Sequence, residues 1–422
     1  MKLEIRERIK NTKSFRVPEG YKKTKCGVIP TEWDIKKLSE LAEISSGGTP
    51  SRNVENYWNG NVPWVTTSLI AFNEITCVDE YITEIGLSNS AAKLYPPLTI
   101  LMAMYGQGVT RGKVGILKIT AATNQACCAI QVKNENVKFV YYFLEHNYES
   151  IRKLSMDGNQ KNLSGSIIKD IMIPLTKIKE QQKIATILST WDEAIELKEH
   201  LIEEKKLQKK SLMKKLLTGE VRLPGFDGEW KEFELGKISD MNSGGTPKST
   251  MPKYYDGDIP WVSISDMTKK GKYIDSTERK ISNLGLNSSS AVLYPVGTVL
   301  YAMYASIGLC SISEVELTSS QAILGIRPKI NLNNEYLYYY LTSLKEKLKL
   351  QGQTGTQSNL NAGMVKKIII KLPELNEQEG IVAILLECDK SIKLYQQELS
   401  ALKLQKKGLM QLLLTGIVRV QC

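Results

Sequence analysis

The sequence predicts an α+β chain in which two tandem globules are separated by two long antiparallel helices, a coiled-coil rod with pseudo-twofold symmetry. Three observations predict it. The chain repeats itself once over nearly its whole length, each repeat opens with short β-like runs between Gly, Pro and Ser turns, and each closes on a long amphipathic helix. With 422 residues, 42% of them hydrophobic, the chain can bury real cores. At about 100–200 residues per domain its length accommodates two or three.

The repeat is the primary signal. Residues 47–64 read GGTPSRNVENYWNGNVPW, and residues 244–261, lying 197 further on, read GGTPKSTMPKYYDGDIPW. The same offset joins Trp33 to Trp230, Asn162-Leu163 to Asn359-Leu360, Glu180-Gln181 to Glu377-Gln378 and Leu217-Thr218-Gly219 to Leu414-Thr415-Gly416. A unit of about 200 residues is far longer than a solenoid repeat, so each copy is a domain with an appendage. The boundaries expected are an N-terminal segment 1–29, a first globule 30–179, a helix 180–219, a second globule 220–376, a second helix 377–416 and a tail 417–422.

Within each globule the strands come first. Runs 62–70, 99–105, 114–119 and 127–132 are the clearest in copy one, and 258–266, 298–304 and 322–328 in copy two. One helical stretch follows each set, over 138–155 and 335–351. The long helices span 180–217 and 377–414. In the second, Ile381, Leu385, Cys388, Ile392, Tyr395, Leu399, Leu402, Lys406, Leu409 and Leu413 alternate by four and three, an a/d seam broken by one Lys. The first keeps the register at Ile184, Leu188, Trp191, Ile195, Lys198, Ile202, Lys205, Lys209, Leu212 and Leu216, with three Lys on the seam. Gly219 and Gly416 sit where C-caps belong. The first helix carries the chain away from globule one and the second must bring it back, so the pair is antiparallel. At 1.5 Å per residue each is about 57 Å long, roughly one and a half turns of B-DNA. Such a rod serves either as a calliper or as a plain spacer.

Several chemistries find no support. Gly108-Val-Thr-Arg-Gly112-Lys113-Val114 is one residue short of a P-loop and ends in Val. No G-x-G-x-x-G follows a strand, and Tyr95-Pro96-Pro97 lacks the Asn of an amino-methyltransferase motif. His146 and His200 have no Cys or His at metal spacing, so neither a metal site nor a catalytic residue is expected. Seven cysteines without a C-x-x-C pair fit a reducing compartment, with Cys127 and Cys128 alternating across one strand. No run of 18 apolar residues occurs and the start is charged, so a cytoplasmic protein without a membrane span or signal peptide is expected.

A binding surface built twice remains. The net charge of +11 points to an anionic partner, or to ordinary solubility. Ser46, Gly47, Gly48, Thr49, Ser51 and Arg52, with Gly244, Gly245, Thr246 and Lys248 in copy two, combine flexible glycines, hydroxyls and cations. They form either a phosphate-approaching loop or a plain β-turn. Trp64 and Trp261 are read as core, and the hydroxyls beyond them, Thr66, Thr67, Ser68, Ser263 and Ser265, as contacts. A second loop carries Gln107, Thr110, Arg111 and Lys113, side chains that read base edges or hold phosphates; Ser306 is its counterpart. A third polar loop holds Lys161 and Asn162, and in copy two Gln357, Ser358 and Asn359, suited to phosphates or to helix capping.

The order E-W, S-G-G-T-P, P-W-V, M-Y, N-Q-A or S-Q-A, N-L, E-Q and a long helix ending L-L-T-G-x-V-R, written twice from about Tyr21 to Arg419, resembles the specificity subunit of type I restriction–modification systems. The resemblance implies that each globule is a target recognition domain reading one half of a bipartite, asymmetric site in double-stranded DNA. It implies that the rod fixes the spacer and docks two modification (methyltransferase) subunits, with Trp191, Lys198, Lys205, Lys209 and Tyr395 as candidate partner contacts. S-adenosylmethionine belongs to those subunits, and ATP with Mg to the restriction subunits that join them, so this chain is expected to bind no cofactor and to catalyse nothing. A duplicated scaffold that holds two proteins without reading DNA is the competing reading. Adding one helical turn to both long helices is expected to change the spacer in the host methylome and leave both half-sites intact. An unchanged spacer contradicts the calliper.

Overall fold

The computed structural model describes residues 8, 17–106, 108–154, 162–304, 306–329, 331–353 and 360–421. The chain divides into two compact units. Unit 1 is 1–199 with 398–422, and unit 2 is 200–397. Neither unit stops at a helix boundary: each takes in half of both long helices.

Unit 1 opens with a hairpin, β1 (Tyr21–Thr24) and β2 (Gly27–Pro30). There follow β3 (Asp34–Lys37), β4 (Ala42–Ser46), β5 (Trp58–Val65), β6 (Asn73–Ile75), β7 (Glu80–Ile82), β8 (Leu94–Tyr95), β9 (Ile100–Ala103), β10 (Val114–Leu117), β11 (Ala121–Thr123) and β12 (Cys127–Val132). Helix α1 (Val137–His146), β13 (Met172–Leu175) and the long α2 (Ile178–Thr218) complete the first half of the chain. The main sheet has the order β4-β12-β9-β10-β6, a second has β7-β5-β11-β8, and β13 pairs with β3. Both larger sheets are mixed, since β6 runs parallel to β10 and β5 to β11.

Strand β9 is buried on both faces, as its unbroken apolar run requires. Ile100 and Met102 enter a core roofed by Phe139 and Val140 of α1. Leu101 and Ala103 enter a second core under Tyr95 and Val65. Cys127 and Cys128 likewise split between the two cores, and burial pushes both thiols up to about 12. Asn147 ends α1 by turning its amide back onto the Phe143 carbonyl at 2.9 Å, so the expected single helix over 138–155 is two.

Unit 2 repeats the plan with β14 (Lys231–Glu234), β15 (Ser239–Ser243), β16 (Ile259–Val262), helix α3 (Ile264–Lys270), β17 (Tyr273–Ile274), β18 (Arg279–Ile281), β19 (Val299–Ala302), β20 (Cys310–Ser313), β21 (Thr318–Ser319) and β22 (Ile323–Pro328), then helix α4 (Asn334–Gln353), β23 (Ile369–Leu372) and the long α5 (Leu375–Leu414). Its main sheet is β15-β22-β19-β20-β17 and its second β18-β16-β21. The expected strand over 258–266 stops at Val262. Ser263 instead caps α3 in a capping box with Asp266, because a hydroxyl and a carboxylate three residues apart satisfy the first-turn amides.

The heptad seam is realised. Ile184, Leu188, Ile202, Leu216, Ile381, Leu385 and Leu413 are buried and the remaining seam positions buried or half-buried. In unit 1, Lys198 reaches Glu398 at 2.8 Å and Lys406 reaches Asp192 at 2.6 Å, so the helices run antiparallel. In unit 2 the pairing of Lys209 with Asp389 and of Arg222 with Glu377 gives the same sense. Gly219 and Gly416 close the helices with φ of +74° and +67°, the left-handed C-cap that glycine adopts without a Cβ penalty.

The E-Q and V-R motifs fasten helix to globule. Glu180 receives Arg419 through two hydrogen bonds of 2.7 Å, and Glu377 receives Arg222 at 2.6 and 2.8 Å together with the Trp230 indole at 3.1 Å. Burial alone would raise the Glu180 carboxyl, but the bonds from Arg419 and Thr176 hold it below its usual range. Gln181 and Gln378 are fully buried; each accepts from the backbone N–H of Asn136 or Asn333 at 3.0 Å and donates to the carbonyl that precedes its own helix by two residues. Gln378→Leu keeps the volume but strands that amide and two carbonyls, so unit 2 should lose about 2–3 kcal/mol in thermal or urea melting.

Candidate nucleic-acid interface

Each globule gathers its separated motifs at one end of its sheets. In unit 1 the Gly48 N–H donates to Thr123 O at 2.8 Å, and the Trp64 indole to Gly48 O at 3.1 Å. The Thr49 hydroxyl donates to the Gln125 side-chain carbonyl. Asn124 N bonds Val65 O at 3.1 Å, Met104 N bonds Ala126 O at 2.8 Å, and Leu163 N bonds Met104 O at 3.0 Å. One ladder therefore joins the G-G-T-P, P-W-V, N-Q-A, M-Y and N-L motifs. Unit 2 builds the same ladder. Gly245 N donates to Ser319 O at 2.8 Å, Trp261 to Gly245 O at 2.9 Å, Ser320 N to Val262 O at 3.0 Å, Met303 N to Ala322 O at 2.9 Å and Leu360 N to Met303 O at 3.1 Å. Thr246 donates to Gln321.

The glycines serve this crossing. A Cβ on Gly47 would lie 2.0 Å from the Thr123 carbonyl oxygen, and one on Gly244 2.2 Å from that of Ser319. Gly48 and Gly245 meet residues 91 and 291 at 2.4 and 2.3 Å. All four are buried, and the amides of Gly48 and Gly245 are already bonded. The expected phosphate-approaching glycine loop is thus corrected to a tight backbone crossing, which bears exposed Thr49, Ser51 and Arg52 in unit 1 and Thr246 and Lys248 in unit 2. Trp64 and Trp261 are core.

Other expected contacts divide by burial. Ser46, Ser68, Asn162 and Ser265 are exposed; Thr66, Thr67, Thr110, Lys113 and Ser306 are half-buried, and Thr66 and Ser68 bond each other at 2.6 Å. The expected direct DNA contact through Arg111 falls on a residue only 7% exposed, two positions beyond Val109 at 65%. Ser263 is engaged in its helix cap. Burial would raise Asp266, but hydrogen bonds from the Ser263 hydroxyl and the backbone N–H groups of Glu278 and Ser263 hold its carboxyl below the usual range. Gln107, Lys161, Gln357, Ser358 and Asn359 lie outside the described residues.

The two interfaces differ at one strand edge. In unit 1 the Arg52 guanidinium stacks 3.7 Å from the Trp58 ring centroid and pairs with Glu80 at 2.7 Å, over a cleft of about 420 Å³ walled by Tyr81 and Asp79. Glu80 pairs with Trp64 across the strands and Tyr81 with Pro63. In unit 2 the residues opposite Trp261 and Pro260 are Arg279 and Lys280. The same edge is acidic and aromatic in one unit and cationic in the other. The signal was hidden by a shift of the repeat offset from 197 to 199 between these strands. Tyr105 and Tyr304 are 41% and 37% exposed beside the buried Met104 and Met303, and neither was among the expected contacts.

On the helices, the expected partner contacts lie on or beside the seam. Trp191, Lys205 and Tyr395 are half-buried on the seam, while Lys198 and Lys209 are engaged by Glu398 and Asp389. The most exposed large apolar side chains on the two long helices are Leu197 and Leu404 in unit 1, both 71% exposed, and Leu207 and Leu394 in unit 2 at 66% and 54%. They are off the seam and recur at the repeat offset of 197.

A family model described as the type I restriction modification DNA specificity domain matches residues 30–206 and again 227–404. The chain belongs to this family. Among relatives, the putative type I restriction enzyme MjaX specificity subunit of Methanocaldococcus jannaschii is 25% identical over 96% of this chain and 98% of its own length. The MjaIX specificity subunit of the same organism is 28% identical over 68% of this chain and 69% of its own. A solved chain from a study of type I restriction–modification assembly and conformational transition has a TM-score of 0.64 at 16% identity, over 92% of this chain and 99% of that one. The specificity subunit of M. genitalium gives 0.53 at 18% identity, over 90% and 96%. Both likenesses concern the fold. Between the two units of this chain, the glycine crossing is the shared support and the exposed loop side chains differ. Gly244→Ala should therefore lower the melting stability of unit 2 by about 3 kcal/mol through overpacking, whereas Thr246→Ala, which removes one exposed hydroxyl, should leave it nearly unchanged.

Proposed function

We propose that this chain is the DNA-reading subunit of a type I restriction–modification complex. Each globule reads one half of a bipartite, asymmetric duplex site, the two long helices set the spacer, and two modification (methyltransferase) subunits dock on them. Restriction subunits complete the assembly, and S-adenosylmethionine and ATP with Mg are handled by those partners, this chain being non-catalytic. The observation that carries the reading is the convergence of five sequence-distant motifs into one polar loop cluster, built identically in both units and decorated differently in each. A common ladder with divergent Arg52, Glu80, Arg279 and Lys280 fits two readers of unlike sequences. Phosphate attraction follows from the +11 charge, and discrimination from the loop side chains. The repeated outward leucines Leu197, Leu207, Leu394 and Leu404 fit docking of two copies of one partner.

The test is DNA binding by the subunit assembled with its modification partner. Binding should prefer one bipartite sequence, and log K should fall linearly with log salt at about −0.9 per phosphate neutralised. Lys248→Ala is expected to weaken binding across sequences. Assembly of both partners without sequence preference or salt dependence would instead establish the scaffold reading.

A further inference from the structure

Four seam lysines, Lys198, Lys205, Lys209 and Lys406, interrupt an otherwise apolar contact, and two of them, Lys209 and Lys406, belong to a motif that occurs twice. In unit 1 the Tyr142 hydroxyl of α1 donates to Asp192 Oδ2 of α2 at 2.6 Å, while Lys406 Nζ of α5 reaches Asp192 Oδ1 at 2.6 Å and Glu145 at 2.9 Å. Lys406 is 8% exposed and lies 5.2 Å from the Tyr142 ring centroid. In unit 2 the Tyr339 hydroxyl of α4 donates to Asp389 Oδ2 of α5 at 2.6 Å, Lys209 of α2 pairs with Asp389 Oδ1, and its ammonium is again 5.2 Å from the ring centroid. All three residues recur at the repeat offset of 197. Within each unit one long helix gives the carboxylate, the other the cation, and the globule the hydroxyl.

We propose that these Lys–Asp–Tyr triads are positioning residues for target recognition: they fix the axial register of the two helices and the seat of the globule on them, and so make the spacer strict. This rests on the reading of the helices as spacer-setting. A lysine on a heptad seam weakens packing relative to Leu, and a buried ion pair adds little net stability over apolar side chains of equal volume. What it adds is register. Ile and Leu knobs accept a neighbouring hole after a slide of one turn, about 5.4 Å, whereas the Lys–Asp pair and the tyrosine bond to the same carboxylate are lost together. Unit 2 adds Lys272, which donates to the Tyr339 hydroxyl at 2.8 Å and pairs with Glu335 at 2.6 Å, so the tyrosine of its triad is braced within the globule.

The test is the methylome of cells carrying Lys209→Met with Lys406→Met in the assembled complex. Both half-sites should persist, with modified sites now spread over spacers about one to two base pairs (~5.4 Å) longer and shorter than the parent spacer. The charge swap of Lys209→Asp with Asp389→Lys, and of Lys406→Asp with Asp192→Lys, should narrow the spacers again, whereas the Met variant, which strands the Asp192, Glu145 and Asp389 carboxylates, should melt lower than the parent. Unchanged strict spacing in the Met variant overturns the proposal while leaving the DNA-reading role intact. Should the Met variant fail to assemble, Tyr142→Phe with Tyr339→Phe, which removes only the two hydroxyls, decides between the same outcomes. A parent complex that methylates no bipartite site at all refutes the parent reading instead.

Discussion

Each globule of this protein depends on chain contributed by the other copy. The core of unit 1 closes only when Met410, Leu413 and Leu414 of the second long helix pack beside Ile184 and Leu188 of the first, and Arg419 then reaches Glu180. Unit 2 uses Leu216 and Leu217 of the first helix, and Arg222 just beyond it, against Ile381, Leu385 and Glu377 of the second. Glu180 and Glu377 are buried carboxylates, and a buried charge without its arginine costs several kcal/mol. The exchange of helix ends is therefore enforced by electrostatics as well as by apolar area. The start and end of the described chain also meet within unit 1, where the Tyr21 hydroxyl donates to Gly416 O at 2.8 Å.

That constraint explains the division of labour in each unit. Helix α1 or α4 faces one side of the main sheet and joins the helix pair, and the smaller sheet covers the other side. The end carrying the glycine crossing is left with its loops outward. The G-G, N-Q-A or S-Q-A and N-L motifs spend their backbone groups on one another, so they are fixed in both copies. Arg52, Glu80, Arg279 and Lys280 make no part of that ladder and are free to differ. A reader of two unlike half-sites needs this combination of fixed support and variable decoration.

How the helices hold together follows the same logic. An apolar seam alone gives attraction with several near-equivalent registers, and the lysines at 209 and 406 turn it into a contact with one. The seam's cost in packing is offset by carboxylates and tyrosine hydroxyls supplied at matching heights.

The amino-acid sequence by itself determined the duplication, the α+β character of each copy, the heptad register with its glycine caps, and the family resemblance. These are written in residue spacing, and spacing is a property of the chain before it folds. Only the tertiary structure decided that Ser263 caps a helix, that Arg111 is buried, that the paired glycines admit a neighbouring backbone, and that seam lysines find Asp192, Asp389 and Glu398. Nor could spacing alone set Arg279 where Glu80 stands, because two residues of extra loop displace the repeat there. The reason is common to all of these: which side chain meets which distant partner depends on strand register and on the reversal of a helix, and neither is encoded in any local run of residues.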